Sequence, residues 1–462
     1  MGALDECHYN GEIGNGVYIA DCDCVELDSD DEEEEEAQSI EDAVRILLQG
    51  LGEDIHREGL RRTPLRVAKA LREGTRGYTQ KVKDIVNGAL FLEAGLESRV
   101  GCAGGTGGLV IVRDLDLYSY CESCLLPFHV KCHIGYIPSG ERVVGLSKLA
   151  RVAEIFAKRL QEPHRLAREI SDALHHAVKP TGVAVLLKCT HIHFPDFESA
   201  IFEPNHRGWV TVSVTSGSGA FEDEMVDSWT DFLTLLRFRG TNIDDHMNPV
   251  DKLWCPSSSS RTFDTAIDPA MLRSVSSILR KLGEDPSRKE LSETPARFLK
   301  WLMSFRKTNF DVKLNAIPHR HDFILHSHGG DRQHLCSEMN LPLWSQCEHH
   351  LLPFHGVVHI GYYGSTTSRV TSVGKSILQS IVHFYGFKLQ VQERLTRQIA
   401  ETASTVLGED TIVVVEANHT CMISRGIEKF GSSTATFAVL GRFATDPAAR
   451  EKFLQIVPKF GS

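Results

Sequence analysis

No run of about 18 or more apolar residues occurs in the 462-residue chain, which argues against a membrane-spanning helix. The first residues, Met1-Gly2-Ala3-Leu4-Asp5-Glu6, lack the basic region and apolar core of a secretory signal. They are also too acidic for a transit peptide, and Glu6 breaks the myristoylation pattern. The cytoplasm is therefore the expected compartment, with no membrane partner. Positive charge is in deficit as well. The net charge is −11, of which seven charges sit in the run from Asp30 to Glu36, leaving −4 for the rest. A nucleic-acid-binding body is usually basic, so no nucleic acid partner is expected. Residues 1–37 read as an acidic disordered tail. Twelve cysteines in a cytosolic chain of this length give no disulfide framework. Those that cluster, Cys121 with Cys124 and Cys347 before Glu348-His349-His350, read as metal or catalytic sites.

What the chain does have is a single internal repeat. Leu51-Gly52-Glu53-Asp54 returns as Leu282-Gly283-Glu284-Asp285, and Thr63-Pro64 returns as Thr294-Pro295, both 231 residues later. Leu125 to His129 returns as Leu351 to His355, and His133 to Tyr136 as His359 to Tyr362, both 226 later. Gln161-Glu162 is matched to Gln392-Glu393. The period is far longer than that of a solenoid, so this is a duplicated domain. The first copy is assigned to residues 38–238 and the second to 267–462. The polar stretch 239–266, with Asn242, Asp244, Asp245, Pro256 and Ser257 to Ser260, is read as a linker.

Each copy follows one plan. Helices are expected at Glu41 to Leu51 and Ala270 to Leu282. After each comes a helix with the threonine of Thr-Pro as N-cap and the proline at the first helical position. Strands follow at Leu109 to Val112 and Val130 to Tyr136, a helix at Ser147 to Arg159, and another from about Glu162. Val183 to Leu187 and Thr411 to Val415 read as buried strands. Two helices, a hairpin, two helices and a hairpin make an α+β module, an antiparallel sheet with helices on one face. Such a sheet has edges to protect, which favours a homo-oligomer.

The second copy carries Ser345-Gln346-Cys347-Glu348-His349-His350 and, later, His419-Thr420-Cys421. Cys347, His350 and Cys421 supply two thiolates and one imidazole. Three ligands leave zinc an open position for a water whose pKa falls to about 7. The alternative is a closed site with His349 as fourth ligand, which adjacent residues on an extended segment rarely permit. His349 and His419 each lie within two residues of a ligand and are candidates for proton transfer.

These strings, with Gln392-Glu393-Arg394-Leu395 and Cys421-Met422-Ile423-Ser424-Arg425-Gly426, resemble the signature of GTP cyclohydrolase I. The resemblance spans both copies and is similar to the tandem form of plants. It implies a T-fold (tunnelling fold) module, GTP as substrate and Zn(2+) as cofactor. It implies hydrolytic opening of the imidazole ring, loss of C8 as formate, and closure to 7,8-dihydroneopterin triphosphate for folate synthesis. His349 and His419 would donate protons. Glu393 suits the N1–H and 2-amino donors of guanine, since one carboxylate accepts both. Gln392 is either a second substrate contact or structural. Arg425 contacts phosphate or ribose, or forms a surface ion pair.

The copies depart from the pattern in complementary ways. Ser147, Lys148 and Arg151 match the family's triphosphate-binding segment, and Lys148 and Arg151 share a helix face at i, i+3. In the second copy, Gly374 and Leu378 replace Ser147 and Arg151, and only Lys375 is kept. In the first, Ser123 stands for His349 and Cys124 for His350, while His193 stands for Cys421. Cys121, Cys124 and His193 either still bind zinc or mark drift after lost function. The expectation is a composite site, zinc chemistry from the second copy and phosphate binding from a neighbouring first copy. The rival expectation is a GTP or pterin sensor without turnover.

Overall fold

The computed structural model describes residues 39–92, 108–139, 142–194, 208–223, 227–238, 240, 254–255, 267–306, 333–365, 375–423 and 432–458. The chain divides into two units, Met1–Gln38 and Ser39–Ser462. The acidic tail lies outside the described residues. Of the linker, only Gly240, Trp254 and Cys255 lie within them.

The first module opens with α1 (Ile40–Gly50), α2 (Thr63–Gly74) and the short α3 (Val82–Val86). Then come β1 (Leu90–Leu92), β2 (Val110–Cys121), β3 (Pro127–Ile137), β4 (Arg142–Val144) and α4 (Leu146–Ala157). It closes with β5 (Leu160–Gln161), α5 (Pro163–Val178), β6 (Gly182–Ile192), β7 (Trp209–Gly219) and α6 (Asp227–Arg237). The second repeats the plan as α7 (Pro269–Lys281), α8 (Thr294–Ser304), β8 (Gln333–Cys347), β9 (Pro353–Ser365) and α9 (Lys375–Gly386). β10 (Leu389–Gln390), α10 (Gln392–Leu407), β11 (Thr411–His419), α11 (Thr420–Ile423) and β12 (Thr434–Val439) follow. Two helices, α12 (Arg442–Thr445) and α13 (Pro447–Leu454), end it. None of the described helices is long and apolar enough to cross a membrane.

Besides the small β1–β4 pair, the two five-stranded sheets have one topology, β5-β2-β3-β6-β7 and β10-β8-β9-β11-β12. This is the tandem α+β architecture expected from the repeat and the T-fold that the family resemblance implies. The four long strands of each sheet are antiparallel, but the two-residue fifth strand pairs in parallel, so each sheet is mixed. Each hairpin is bulged at the same place, between Val112 and Leu115 and between Glu338 and Leu341. Asp114 and Asn340 in these bulges both have φ of 55°, a region that Asn and Asp enter more readily than other side chains. Their backbone N–H groups donate to Nδ1 of His133 and His359, at 3.2 and 3.3 Å.

Helices cover both faces of each sheet, not one. Val183, Val185 and Leu187 join the main core, whereas Ala184 and Leu186 pack with Phe221, Trp229 and Phe232 around α6. This is why Val183 to Leu187 reads as a continuous apolar run rather than an alternating one. In the second module Ile412 and Val414 pack under Phe443 and Phe453 of α12 and α13. A Cβ at Gly135 would lie 2.7 Å from the Phe232 ring, and one at Gly361 would lie 2.4 Å from Phe453. The repeated glycine lets an aromatic ring from the second face approach the strand.

The N-terminal helices are exchanged between modules. α1 packs on α7, so closely that a Cβ at Gly50 would meet Met271 Sδ at 2.4 Å. From the first module, Thr63 Oγ1 donates to the backbone oxygen of Glu348 at 2.7 Å, and Arg57 pairs with the Glu348 carboxylate at 2.7 Å. From the second, Thr294 Oγ1 donates to the backbone oxygen of Glu122 at 2.6 Å, Arg288 reaches its carboxylate at 3.2 Å, and Trp301 Nε1 donates to Cys124 O. The two sets are related as if by a two-fold axis. They also correct the capping expectation. Arg62 and Glu293 occupy the N-cap positions of α2 and α8, and neither side chain caps its helix. The buried threonine hydroxyls are engaged across the module boundary instead.

Buried His359 and His383 are held neutral, burial pushing each down from 6.5 to about 4. The unfolded chain takes up these protons first as pH falls, so the fold loses stability between about pH 6.5 and 4. Calorimetry at constant ionic strength is expected to give a lower Tm at about pH 5 than at about pH 7.5. Equal Tm values would contradict this assignment.

Candidate metal centre

In the second module the β8–β9 turn builds the site. Cys347 N–H donates to Leu352 O at 2.8 Å and Leu351 N–H to Cys347 O at 2.9 Å, closing a tight loop. Leu351 sits at φ 56°, as does its counterpart Leu125, and both copies keep this costly conformation for a β-turn with a fixed exit. The loop places Cys347 Sγ 3.9 Å from His350 Nδ1. β11 then ends, and the chain turns into α11, whose first residue, Thr420, donates through Oγ1 to Pro353 O at 2.6 Å. That bond fixes Cys421 beside the loop. The ligand atoms of Cys347, His350 and Cys421 all lie within 4.8 Å of one another. Both cysteines are buried and His350 is half-exposed. The Cys421 thiol, then His350 and His419, hydrogen-bond Cys347 and hold its thiol well below the usual range in spite of burial.

His419 sits at the end of β11. Its ring stacks on Phe354 with centroids 4.4 Å apart, and Nε2 lies 2.7 Å from Gln392 Oε1. The Gln392 amide nitrogen donates to Val415 O, Thr434 O and Thr436 Oγ1. Its oxygen must therefore face His419 as acceptor, which puts the His419 proton on Nε2. Of the two readings of Gln392, the packing supports the structural one: it is buried and orients His419. Glu393, the next residue, is exposed at the start of α10. His349 is part-exposed, with Nε2 3.8 Å from Glu348 Oε1. The sequence reading missed Glu348 itself. Only 2% exposed, it is held by Arg394 and Arg57, each at 2.7 Å. Burial would raise its pKa, but hydrogen bonds from Arg394 and Arg57 hold it below the usual value. Val44 and Leu47 of α1, Ile278 of α7 and Phe298 of α8 share an enclosed apolar pocket with His350, so the exchanged helices back the site.

Ser147, Lys148 and Arg151 share the first turns of α4 in the first module, Ser147 and Arg151 exposed and Lys148 half-buried. No side chain caps this helix at Gly145. Lys375 begins α9 and is exposed, whereas Gly374 and Arg425 lie outside the described residues.

Two sequence pairings need correction. Gln161 pairs in parallel beside Cys121, and Gln390, not Gln392, does so beside Cys347. The two glutamines bond alike, donating to Phe156 O and Glu169 in one copy and to Tyr385 O and Gln398 in the other. The true offset there is 229, so Glu393 corresponds to His164 and not to Glu162. His193 likewise does not occupy the place of Cys421. β6 runs on without a helical turn, and His193 N–H bonds to Gly208 O, whereas the second module turns into α11. The residues gathered in the first module are Cys121, Cys124, His191 and Cys255, all buried. Cys255 was passed over because it lies in the polar linker. Trp254 beside it, a large apolar residue in that stretch, was the available signal.

The profile of the GTP cyclohydrolase I family matches residues 40–195 and 271–458. Over its whole length the chain is 64% identical to a GTP cyclohydrolase 1 of Solanum lycopersicum, covering 99% of that protein. It is 58% identical to one of Arabidopsis thaliana over 98% of this chain and 96% of that protein. A GTP cyclohydrolase 1 of Gloeobacter violaceus is 42% identical over 43% of this chain and 85% of its own length.

Proposed function

Because the chain belongs to the GTP cyclohydrolase I family and has that family's activity on GTP, we propose a division of labour between its two modules. The family is zinc-dependent, and the donor set fits: two thiols and one imidazole with ligand atoms mutually within 4.8 Å. Cys347, His350 and Cys421 would hold the ion. Bound there, zinc supplies a Lewis acid and a water activated at neutral pH.

The remaining work falls to side chains. His419, its Nε2–H held by Gln392 and its ring by Phe354, takes up a proton on Nδ1 and then donates it to a guanine ring nitrogen as the imidazole opens. His349, part-exposed beside Glu348, is the second proton carrier. Glu393 accepts from N1–H and the 2-amino group. Ser147, Lys148 and Arg151, at the uncapped N-terminus of α4, bind the triphosphate, with Lys375 and Arg425 as further phosphate or ribose contacts. The α4 that serves a given zinc site comes from a neighbouring chain, which makes the working unit a homo-oligomer. The product is 7,8-dihydroneopterin triphosphate, with formate released, and the compartment is the cytoplasm.

The observation that carries this reading is the meeting of the Cys347 cluster with an oriented His419 in one module and of the basic helix start in the other. Arg151→Ala is its test. A charge-assisted phosphate contact contributes about 1.5–3 kcal/mol, so KM for GTP is expected to rise about 10- to 150-fold with zinc content unchanged. Formate release and pterin fluorescence after oxidation report the rate. An unchanged KM would mean that the second module binds triphosphate by itself.

A further inference from the structure

The first module has Ser123 and Cys124 where the second has His349 and His350, yet its turn is packed as carefully as that of the second. Cys121 N–H donates to Leu126 O at 2.9 Å and Leu125 N–H to Cys121 O at 2.8 Å, the same loop as at Cys347. Around it stand three thiols and an imidazole. Cys121 is 1% exposed, Cys124 and His191 are fully buried, and Cys255 is 5% exposed. All four ligand atoms lie within 4.8 Å of one another.

We propose that Cys121, Cys124, His191 and Cys255 form a closed, four-ligand zinc site that fastens the segment joining the two modules onto the first sheet. This site is separate from the Cys347 cluster and independent of the catalytic reading above.

Three observations carry it. The first is spacing. Zinc–sulfur bonds of about 2.3 Å and zinc–nitrogen bonds of about 2.05 Å in a tetrahedron put two sulfurs about 3.8 Å apart, and sulfur and nitrogen about 3.5 Å apart. Cys121 Sγ and Cys255 Sγ are 3.9 Å apart, and Cys124 Sγ and His191 Nε2 are 3.5 Å apart. The sulfur separation is nearly twice the length of a disulfide bond of about 2.05 Å. The second is orientation. His191 Nδ1 donates to Ile192 O at 2.7 Å, which leaves the Nε2 lone pair aimed at the thiols. Zinc-binding histidines are held in the same way, the ring nitrogen not on the metal donating to a carbonyl or carboxylate. The third is closure. Trp254 makes T-shaped contacts with His191, centroids 5.0 Å apart, and with Phe128 at 5.2 Å, and among the described residues all four ligand side chains are buried. Four protein ligands and a dry surround describe a structural rather than a catalytic ion.

Binding releases a proton from each thiol that ligates as thiolate, and no oxidant or reductant is required. The structural consequence falls on the connection between Arg237 and Pro269. One of its residues, Cys255, becomes a ligand beside the β2–β3 turn, so the ion cross-links the middle of the connection to the first module.

The test counts metal on the full-length protein. The chain as purified is expected to hold about two zinc ions, and Cys421→Ser and Cys255→Ser about one each. Cobalt loaded into Cys421→Ser should then show tetrahedral bands and thiolate charge transfer from three sulfurs. Cobalt in the unsubstituted chain should show five thiolate ligands, from Cys121, Cys124, Cys255, Cys347 and Cys421, and this reading needs no variant to fold. One zinc per chain, lost altogether in Cys421→Ser, would overturn the proposal. So would a Cys121–Cys255 disulfide found by peptide mapping under non-reducing conditions, or a zinc count indifferent to Cys255. None of these results bears on whether the Cys347 cluster catalyses.

Discussion

Cut in the segment between the two sheets and purified as separate halves, the chain is expected to release no formate from GTP in either half. Two independent losses produce this outcome. The first is chemical, since neither half by itself contains both α4 and the Cys347 cluster. The second is structural. The half carrying Cys347 would lack α1, α2 and the connection between them, which supply Arg57 to the buried Glu348 carboxylate and the Thr63 hydroxyl to its backbone oxygen. Each orphaned buried polar group costs about 1–3 kcal/mol. The missing Val44, Leu47 and Leu71 also bare apolar surface at Leu351 and Leu352, at about 1.5–3 kcal/mol for each buried aliphatic side chain. Together these approach the whole stability of an ordinary domain, about 5–15 kcal/mol. Co-expressed halves are expected to regain activity by reassembling across the exchanged helices. A second half that alone turned over GTP at the rate of the intact chain would defeat both arguments.

The His419→Ala variant is expected to lose about 10²- to 10⁴-fold in kcat, the usual contribution of a placed proton donor, with zinc content and KM little changed. The geometry singles out His419 because its orientation is doubly imposed, by the stacked Phe354 ring and by an acceptor oxygen whose own amide is anchored at three points. Gln392→Leu removes that acceptor but leaves the ring in place, so a smaller loss in kcat is expected there. A zinc-loaded His419→Ala enzyme with undiminished kcat would assign the proton to another group, with His349 the next to examine.

The features legible in the sequence were those encoded by short-range pattern. Cys347 and His350, three residues apart in a turn, and the order of helices and hairpins follow from spacing and periodicity. What escaped depended on partners distant in the chain. The threonine of each Thr-Pro pair looks like an N-cap because its local context is the same as that of a cap. Only the docked partner module shows that its hydroxyl bonds to Glu348 or Glu122. Matching Gln161-Glu162 to Gln392-Glu393 respected identity and ignored a two-residue shift, which strand pairing beside Cys121 and Cys347 reveals. His193 was matched to Cys421 by its place in the string, but the turn into α11 that moves Cys421 has no counterpart after β6, and His191 is the residue beside Cys121 and Cys124. The helices on the second face, α6 and α12 to α13, left only a hint, in the unbroken apolar run of β6.

The exchange of helices also sets a timetable. Thr63 bonds to a residue 285 positions further along the chain, and Arg57 to one 291 positions further along. During synthesis from the N-terminus, α1 and α2 are therefore made long before the turn they dock on exists. Contacts of such long sequence separation form late and slowly, because the intervening loop must close before they gain anything. In that interval the apolar faces of these helices, with Val44, Leu47 and Leu71, have no native cover from the second sheet, and such surface invites aggregation or a chaperone. The nascent chain is thus most vulnerable after its first sheet has been completed, and it becomes safe only when residues near 350 have emerged and folded back.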